Sequence, residues 1–188
     1  MSKVLVFYGS YRRGRVGIRL AERIVSACLE AGAEAELIDA KAVNLPMLDL
    51  RYSDYAAGEA PRAMAELSAK ITGADACIFV AGEYNGGPQP GLKNLVDHYF
   101  AEWSGKLGGV VTYSSGRLAG VKSGYAWGAI LDKLGMMQVP GAPEVGSLQK
   151  ALAEDGRPVG DDGARLEKQI HQYSAKVLKL AEKLKSGS

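Results

Sequence analysis

Apolar residues occur along this chain either in short unbroken runs or in longer stretches with a helical period. The runs at 4–7 and 76–81 contain only apolar residues, which is typical of strands buried on both faces of a parallel sheet. Leu20, Ile24 and Cys28 follow one another at offsets of four, which predicts an amphipathic helix. The predicted strands are 4–7, 35–39, 76–81, 109–113 and 136–140. The predicted helices are 15–31, 62–73, 90–103, 119–134 and 162–185. A long loop is predicted at 40–61.

Strands that alternate with helices over this length predict a three-layer α/β domain with a parallel sheet and right-handed crossovers. The second strand is short and polar, so we expect it near an edge, whereas the run at 76–81 should lie at or near the centre. The strand order 2-1-3-4-5 is one of two common solutions for such a sheet. The loops after strands 1, 3 and 4 then converge on one crevice, where such sheets bind ligands. We therefore expect a single domain over 1–188.

Charge and composition exclude several classes of function. The formal net charge of +2 over 188 residues gives no reason to expect a nucleic acid or an anionic membrane as partner. Cys28 and Cys77 lie in apolar segments without metal-type spacing, which predicts two buried thiols, a reducing compartment and no metal site. The first strand begins directly after Met-Ser-Lys, and no apolar run approaches about 20 residues. We therefore expect a cytoplasmic protein without a signal peptide or a membrane span.

The loop after the first strand, Gly9 to Gly17, combines a serine, several arginines and glycines directly before a predicted helix. It has neither the glycine spacing of a dinucleotide fold nor that of a nucleotide triphosphatase. A hydroxyl, guanidinium groups and free N–H groups at a helix N-terminus suit a phosphate monoester. A glycine-rich turn with solvated arginines remains the alternative.

The loop after the third strand, 82–88, carries chemistry for a flat ligand. Gly86 and Gly87 allow the backbone to approach a ring edge closely, because no Cβ intervenes. Tyr84 offers a face or edge for stacking. A simple turn formed by Tyr84 and Asn85 remains the alternative.

The chain resembles the NADPH-dependent FMN reductase family, whose flavodoxin-like members include quinone, chromate and azo reductases. The resemblance rests on Gly-Ser-Tyr-Arg at 9–12, Glu-Tyr-Asn-Gly-Gly at 83–87 and Pro-Gly-Leu-Lys-Asn-Leu-Val-Asp at 90–97. It implies a flavodoxin-like fold and FMN as cofactor, with the phosphate in the first loop and the ring beside the second and third. The cofactor-binding residues that it implies are Ser10, Arg12, Arg15, Val16, Gly17, Glu83, Tyr84, Asn85, Gly86, Ser114, Ser115 and Gly116.

Two segments depart from the family pattern. Gly82 stands where members commonly have proline, and residues 15–17 replace the usual Ser-x-Asn. The implied activity needs no catalytic side chain, because the flavin carries the chemistry. NADPH, with NADH as the other donor, would deliver a hydride to FMN, and a quinone, free flavin or similar small acceptor would take two electrons. Arg13, Arg15 and Arg117 are candidates for the phosphates of NADPH.

The resemblance also implies a homodimer or homotetramer. Tyr99, Phe100 and Trp103 widen the apolar face of the third helix, and with the loop at 46–58 they predict a partner surface. Two other functions remain open. A flavodoxin-type electron carrier would have the same fold and cofactor, although such carriers are typically strongly acidic. A cofactor-free receiver domain would need clustered acids at the ends of strands 1 and 3.

Overall fold

The strands form a sheet in the predicted order in the computed structural model, which describes residues 1–186. The strands are β1 (Lys3–Tyr8), β2 (Glu34–Asp39), β3 (Ala76–Tyr84), β4 (Gly87–Pro88), β5 (Leu107–Tyr113), β6 (Met137–Gln138) and β7 (Glu144–Val145). The main path is β2-β1-β3-β5-β6, and its strands are parallel. Because β4 is a short antiparallel addition to β3, this path is the predicted 2-1-3-4-5 order. The fold is flavodoxin-like, with β2 at the edge and β3 at the centre.

Helices cover both faces of the sheet. The helices are α1 (Gly17–Glu30), α2 (Ala40–Val43), α3 (Arg62–Thr72), α4 (Pro90–Asp97), α5 (Val121–Lys133), α6 (Leu148–Ala151) and α7 (Gly160–Ser186), and 3₁₀ turns lie at Tyr52–Asp54 and Ala101–Trp103. Val4 and Val6 of β1 pack in a core cluster with residues of α1 and α7, while Leu5 and Phe7 pack with α3, α4 and α5. Successive residues of a strand point to opposite faces, so one apolar run serves both clusters. Among residues 1–186, no helix is long and apolar enough to cross a membrane.

Both cysteines are free and buried, as predicted. Burial raises the pKa of the Cys77 thiol to about 12 and also raises the pKa of Cys28. A thiol of such high pKa is a poor nucleophile at neutral pH. These side chains therefore act as small apolar core residues.

The predicted helix at 90–103 is too long, because α4 ends at Asp97. The His98 carbonyl accepts a hydrogen bond from the Tyr52 N–H at 2.8 Å, and a 3₁₀ turn follows. Tyr99 and Trp103 are 1% and 0% exposed, so the prediction of an exposed aromatic face is wrong for both. Phe100 is exposed and lies against the Arg51 guanidinium.

The predicted fifth strand is interrupted. β6 pairs with Leu107 and Gly108 of β5, and β7 pairs with Thr112 and Tyr113. The segment 139–143 between them is longer than the three residues of β5 that it passes. It contains Pro140 and Pro143, and a proline lacks the N–H that a strand ladder needs. The edge beside β5 is therefore two short strands.

Candidate functional site

The loops after β1, β3 and β5 meet at one cavity of about 110 Å³ at the carboxyl ends of the strands. This is the place that the sheet order predicts for a ligand. The cavity is lined by Ser10, Arg12, Gly14, Arg15, Val16, Gly82, Glu83, Tyr84, Gln89, Tyr113, Ser114, Ser115, Leu148 and Gln149. Eight of the twelve predicted cofactor-binding residues are in this lining. The other four, Gly17, Asn85, Gly86 and Gly116, lie beside it without lining it.

The first loop leads into the N-terminus of α1, which has no side-chain cap and no acidic residue in its first turn. The Ile18 and Arg19 N–H groups there donate to the Arg15 and Val16 carbonyls at 3.2 Å, and the positive end of the helix dipole still favours an anion. Ser10 is buried, and its Oγ accepts a hydrogen bond from the Arg12 N–H at 3.4 Å. Arg12 and Arg13 are exposed at the rim. The loop therefore offers an anion site with one buried hydroxyl.

The Arg15 side chain is directed toward the end of β2. Its Nη1 and Nη2 donate to the two carboxylate oxygens of Asp39 at 3.0 and 2.5 Å, and Nη1 also donates to the Ser10 carbonyl. Its guanidinium lies 5.6 Å from the centre of the Tyr8 ring. The hydrogen bond to Asp39 raises the pKa of Arg15. Arg15 thus ties the loop to β2, and its charge is already paired.

The predicted second loop is a tight β-hairpin. β3 continues to Tyr84, and the chain returns as β4 with Tyr84 paired to Gly87. Asn85 and Gly86 form the tip with φ of 51° and 82°. Two-residue hairpins with positive φ at both positions strongly favour Asn-Gly. The tip is exposed, so these residues face solvent at the cavity rim.

Two hydrogen bonds anchor the base of the hairpin to α5. The Glu83 carboxylate accepts a hydrogen bond from the Lys122 N–H at 3.1 Å, in the first turn of α5. The Ser123 hydroxyl donates to the Gly82 carbonyl at 3.0 Å. A carboxylate at a helix N-terminus stabilises the helix. Glu83 therefore fixes the hairpin to α5 and borders the cavity.

Tyr113 and Gln89 form the floor of the cavity, and sequence reasoning missed both. Gln89 Nε2 donates to the Tyr113 hydroxyl at 2.7 Å, and this hydroxyl donates to Tyr8 at 3.5 Å. Burial raises the pKa of Tyr113, so its hydroxyl stays protonated. A Cβ on Gly17 would lie 2.2 Å from the Tyr113 ring. Gly17 therefore makes room for that ring at the start of α1.

The third loop, which includes Ser114, is supported by the segment after β7. The Ser114 carbonyl accepts from the Leu148 N–H at 3.2 Å, and Gln149 Nε2 donates to the Ser115 carbonyl at 3.0 Å. The Ser114 hydroxyl donates to the Gly116 carbonyl at 2.8 Å. Leu148 and Gln149 also line the cavity, although no periodic signal in their part of the sequence marks them.

A second cavity of about 500 Å³ also has Tyr84 in its lining. Leu45, Met47 and Pro90 give it an apolar wall, and Arg12 also lines it. Asn94 holds the loop at 46–48, because its Nδ2 donates to the Pro46 carbonyl and its Oδ1 accepts from the Leu48 N–H. Tyr84 and Arg12 line both cavities, so the two cavities are neighbours.

Comparisons with known proteins agree with this architecture. An NAD(P)H-dependent FMN reductase of Schizosaccharomyces pombe is 34% identical over 121 residues, which are 59% of this chain and 57% of that protein. The chain therefore spans little more than half the length of this relative. FerB of Paracoccus denitrificans, a flavoenzyme NAD(P)H:(acceptor) oxidoreductase, has a TM-score of 0.74 at 21% identity, with 95% of this chain and 98% of FerB covered. A mutant flavodoxin of Pseudomonas aeruginosa has a TM-score of 0.60 at 18% identity, with 93% and 98% covered.

The two solved structures establish the fold alone, because their sequence identity to this chain is low. A flavodoxin and a flavin-dependent oxidoreductase share that fold, so it does not separate a carrier from an enzyme. The family model described as NADPH-dependent FMN reductase matches residues 2–149, from the start of β1 into α6. Since this match includes all three loops of the cavity and most of the chain, the protein belongs to the NADPH-dependent FMN reductase family.

Proposed function

We propose that this chain is an FMN-dependent NAD(P)H oxidoreductase that passes electrons to a quinone, free flavin or similar small acceptor. The observation that carries the proposal is the meeting of three loops at one cavity beside the uncapped N-terminus of α1. Family membership supports the same cofactor pair. The receiver-domain alternative has no comparable support at this cavity.

The donors of the first loop fit the phosphate of FMN. The buried Ser10 hydroxyl and the positive end of the α1 dipole, which has no acidic residue in its first turn, suit a phosphate monoester. Arg12 adds positive charge at the rim. We assign the phosphate to these groups. Arg15, which was predicted to bind the cofactor, then mainly shapes the loop, since Asp39 pairs its charge.

The ring end of FMN is assigned to the hairpin and the third loop. Glu83, Tyr84 and Ser115 border the cavity there, and the exposed tip at Asn85 and Gly86 lies at its rim. When bound, FMN supplies the hydride and electron transfer itself. The residues of this chain bind and orient it, and the apolar cavity beyond Tyr84 gives a small aromatic acceptor a place to pack.

Two exposed arginines are candidates for binding the phosphates of the donor nucleotide. Arg13 and Arg117 are exposed and form no ion pair within residues 1–186. A guanidinium suits the phosphates of NADPH, including the one that NADH lacks. We therefore expect NADPH to be preferred over NADH, and the variants Arg13→Met and Arg117→Met to reduce that preference.

Titration with FMN, followed by NADPH under anaerobic conditions and then a quinone, tests the proposal. We expect FMN fluorescence to be quenched on binding, NADPH to bleach the flavin absorbance, and the quinone to restore it over repeated turnovers. A protein that binds FMN but leaves NADPH unoxidised would instead be an electron carrier. A protein that binds no FMN would contradict both functions.

A cytoplasmic location and a homodimer or homotetramer belong to this proposal. Met47 and Leu50, in the predicted partner loop, are 78% and 43% exposed. Exposed apolar side chains close to one another favour a protein partner. Light scattering at micromolar concentration should give a dimer or tetramer mass, and Met47→Asp should lower it. A monomeric wild-type protein would count against the assembly.

A further inference from the structure

Gln89 is a buried glutamine whose side-chain oxygen has no hydrogen-bond partner within residues 1–186. It lies between Pro88 and Pro90 at the start of α4 and is 1% exposed. Its Nε2 donates to the Tyr113 hydroxyl at 2.7 Å. Its Oε1 is buried and has no hydrogen-bond partner within residues 1–186. Because buried polar atoms are nearly always hydrogen-bonded, this oxygen lacks a donor that another molecule can supply.

The surrounding side chains do not supply that donor. The Tyr113 hydroxyl accepts from Gln89 Nε2 and directs its own proton to Tyr8. A Cβ on Gly82 would lie 2.5 Å from Gln89 Nε2 and 2.9 Å from the Tyr113 ring. The glycine that departs from the family pattern therefore makes room for the Gln89 and Tyr113 pair. The flanking prolines restrict the backbone and hold this side chain inward.

The position of Gln89 indicates which part of a ligand faces it. It lines the same cavity as Ser10, to which the phosphate is assigned, and Glu83, which borders the ring end. The part of FMN between phosphate and ring is the ribityl chain, whose hydroxyl groups are hydrogen-bond donors. We propose that Gln89 Oε1 accepts a hydrogen bond from a ribityl hydroxyl, which makes Gln89 a positioning residue for the cofactor. This inference rests on the proposed function.

Three flavins test the assignment by fluorescence titration of the full-length protein. FMN carries ribityl and phosphate, riboflavin lacks the phosphate, and lumiflavin lacks the whole chain but keeps the ring. Gln89→Met preserves side-chain length and removes the acceptor. We expect it to weaken FMN and riboflavin binding about tenfold each, with lumiflavin binding unchanged.

Gln138→Met is the matched control. Gln138 is exposed at β6, and its Nε2 donates to the Gly128 carbonyl, away from the cavity. It should leave the binding of all three flavins unchanged. If Gln89→Met loses its thermal unfolding transition, Tyr113→Phe replaces it. That variant releases the Gln89 amide from its anchor, and we expect the same selective loss for the ribityl ligands.

The outcomes separate this inference from the proposed function. Equal losses for lumiflavin and riboflavin would place the contact on the ring and overturn the assignment. Unchanged riboflavin binding in the Met variant would overturn it as well. A wild-type protein that binds none of the three flavins would contradict the proposed function itself.

Discussion

The hydroxyls of Ser10 and Tyr84 lie 3.0 Å apart and join the loop after β1 to the hairpin after β3. Ser10 is the buried hydroxyl assigned to the phosphate, and Tyr84 lines both cavities. When Tyr84 donates this bond, the Ser10 hydroxyl keeps its proton for a phosphate, because a hydroxyl has one donor and two acceptor positions. A phosphate that binds Ser10 is then linked to the Tyr84 ring through the same hydroxyl.

Replacing Ser10 by alanine should weaken FMN binding selectively. The lost bond is between a hydroxyl and a charged phosphate, so we expect a drop in affinity of about tenfold or more. Riboflavin, which has no phosphate, should bind as it does to the wild type. Fluorescence titration measures both. Ser26→Ala, which removes an exposed hydroxyl on α1, is the control, and an equal loss for riboflavin would contradict the phosphate assignment.

Two glycines in the first loop should differ sharply in their tolerance of alanine. A Cβ on Gly17 would lie 2.2 Å from the Tyr113 ring, whereas a Cβ on Gly14 would meet nothing within 4 Å. Gly17→Ala should lower the free energy of unfolding by about 1–3 kcal/mol through overpacking. Gly14→Ala should change it by less than about 0.5 kcal/mol. Urea denaturation checks both, and similar values for the two variants would contradict this packing.

The ion pair between Arg15 and Asp39 should stabilise the fold more than an exposed pair does. Its side chains are 20% and 13% exposed, whereas those of Arg62 and Glu66 are 91% and 55% exposed. Arg15→Met leaves the Asp39 carboxylate without its partner and should cost about 1–3 kcal/mol of unfolding free energy. Arg62→Met is the matched control and should leave the urea midpoint nearly unchanged. If both variants unfold at the wild-type midpoint, the Asp39 pair adds no stability.

The pH dependence of stability should include a contribution from Glu167. Burial alone would raise its pKa, but Arg23 and His171 outweigh burial and lower it. A lowered pKa stabilises the folded state above the unfolded value, about 4.3, and this contribution is lost as pH falls through the folded pKa.

Glu167→Gln should therefore be less stable than wild type at pH 7, and the difference should shrink below about pH 4. Urea denaturation across this range measures it. Glu59→Gln, at an exposed residue with no ion pair within residues 1–186, is the control. A difference for Glu167→Gln that stays constant down to pH 3 would contradict the contribution.

Periodicity in the sequence was sufficient for the architecture but not for every boundary. The runs at 4–7 in β1 and 76–81 in β3 are unbroken and wholly apolar, so their buried positions could be predicted directly. The end of α4 could not, because it depends on a hydrogen bond between His98 and Tyr52, which are distant in sequence. Tyr99 and Trp103 keep a helical apolar spacing after the helix has ended, because both are buried, Tyr99 just after α4 and Trp103 in the 3₁₀ turn.

The candidate-site residues that directly follow strand ends could be predicted from the sequence. Those whose position depends on tertiary packing could not. Ser10, Glu83 and Ser114 come close together because the carboxyl ends of parallel strands share one edge. Because Gln89 lies between two prolines, the sequence indicates a loop residue at this position. Its burial depends on the absence of a side chain at Gly82 and on the Tyr113 hydroxyl, neither of which a local pattern indicates.

The interrupted strand beside β5 has a further consequence for behaviour at high concentration. A long unpaired strand at a sheet edge is a template for pairing with another molecule and for aggregation. Here β6 and β7 have two residues each, and the segment between them follows a different path. The opposite edge, β2, carries Glu34, Glu36 and Asp39. Both edges of the sheet therefore disfavour edge-to-edge pairing with a second molecule, which is a route to aggregation.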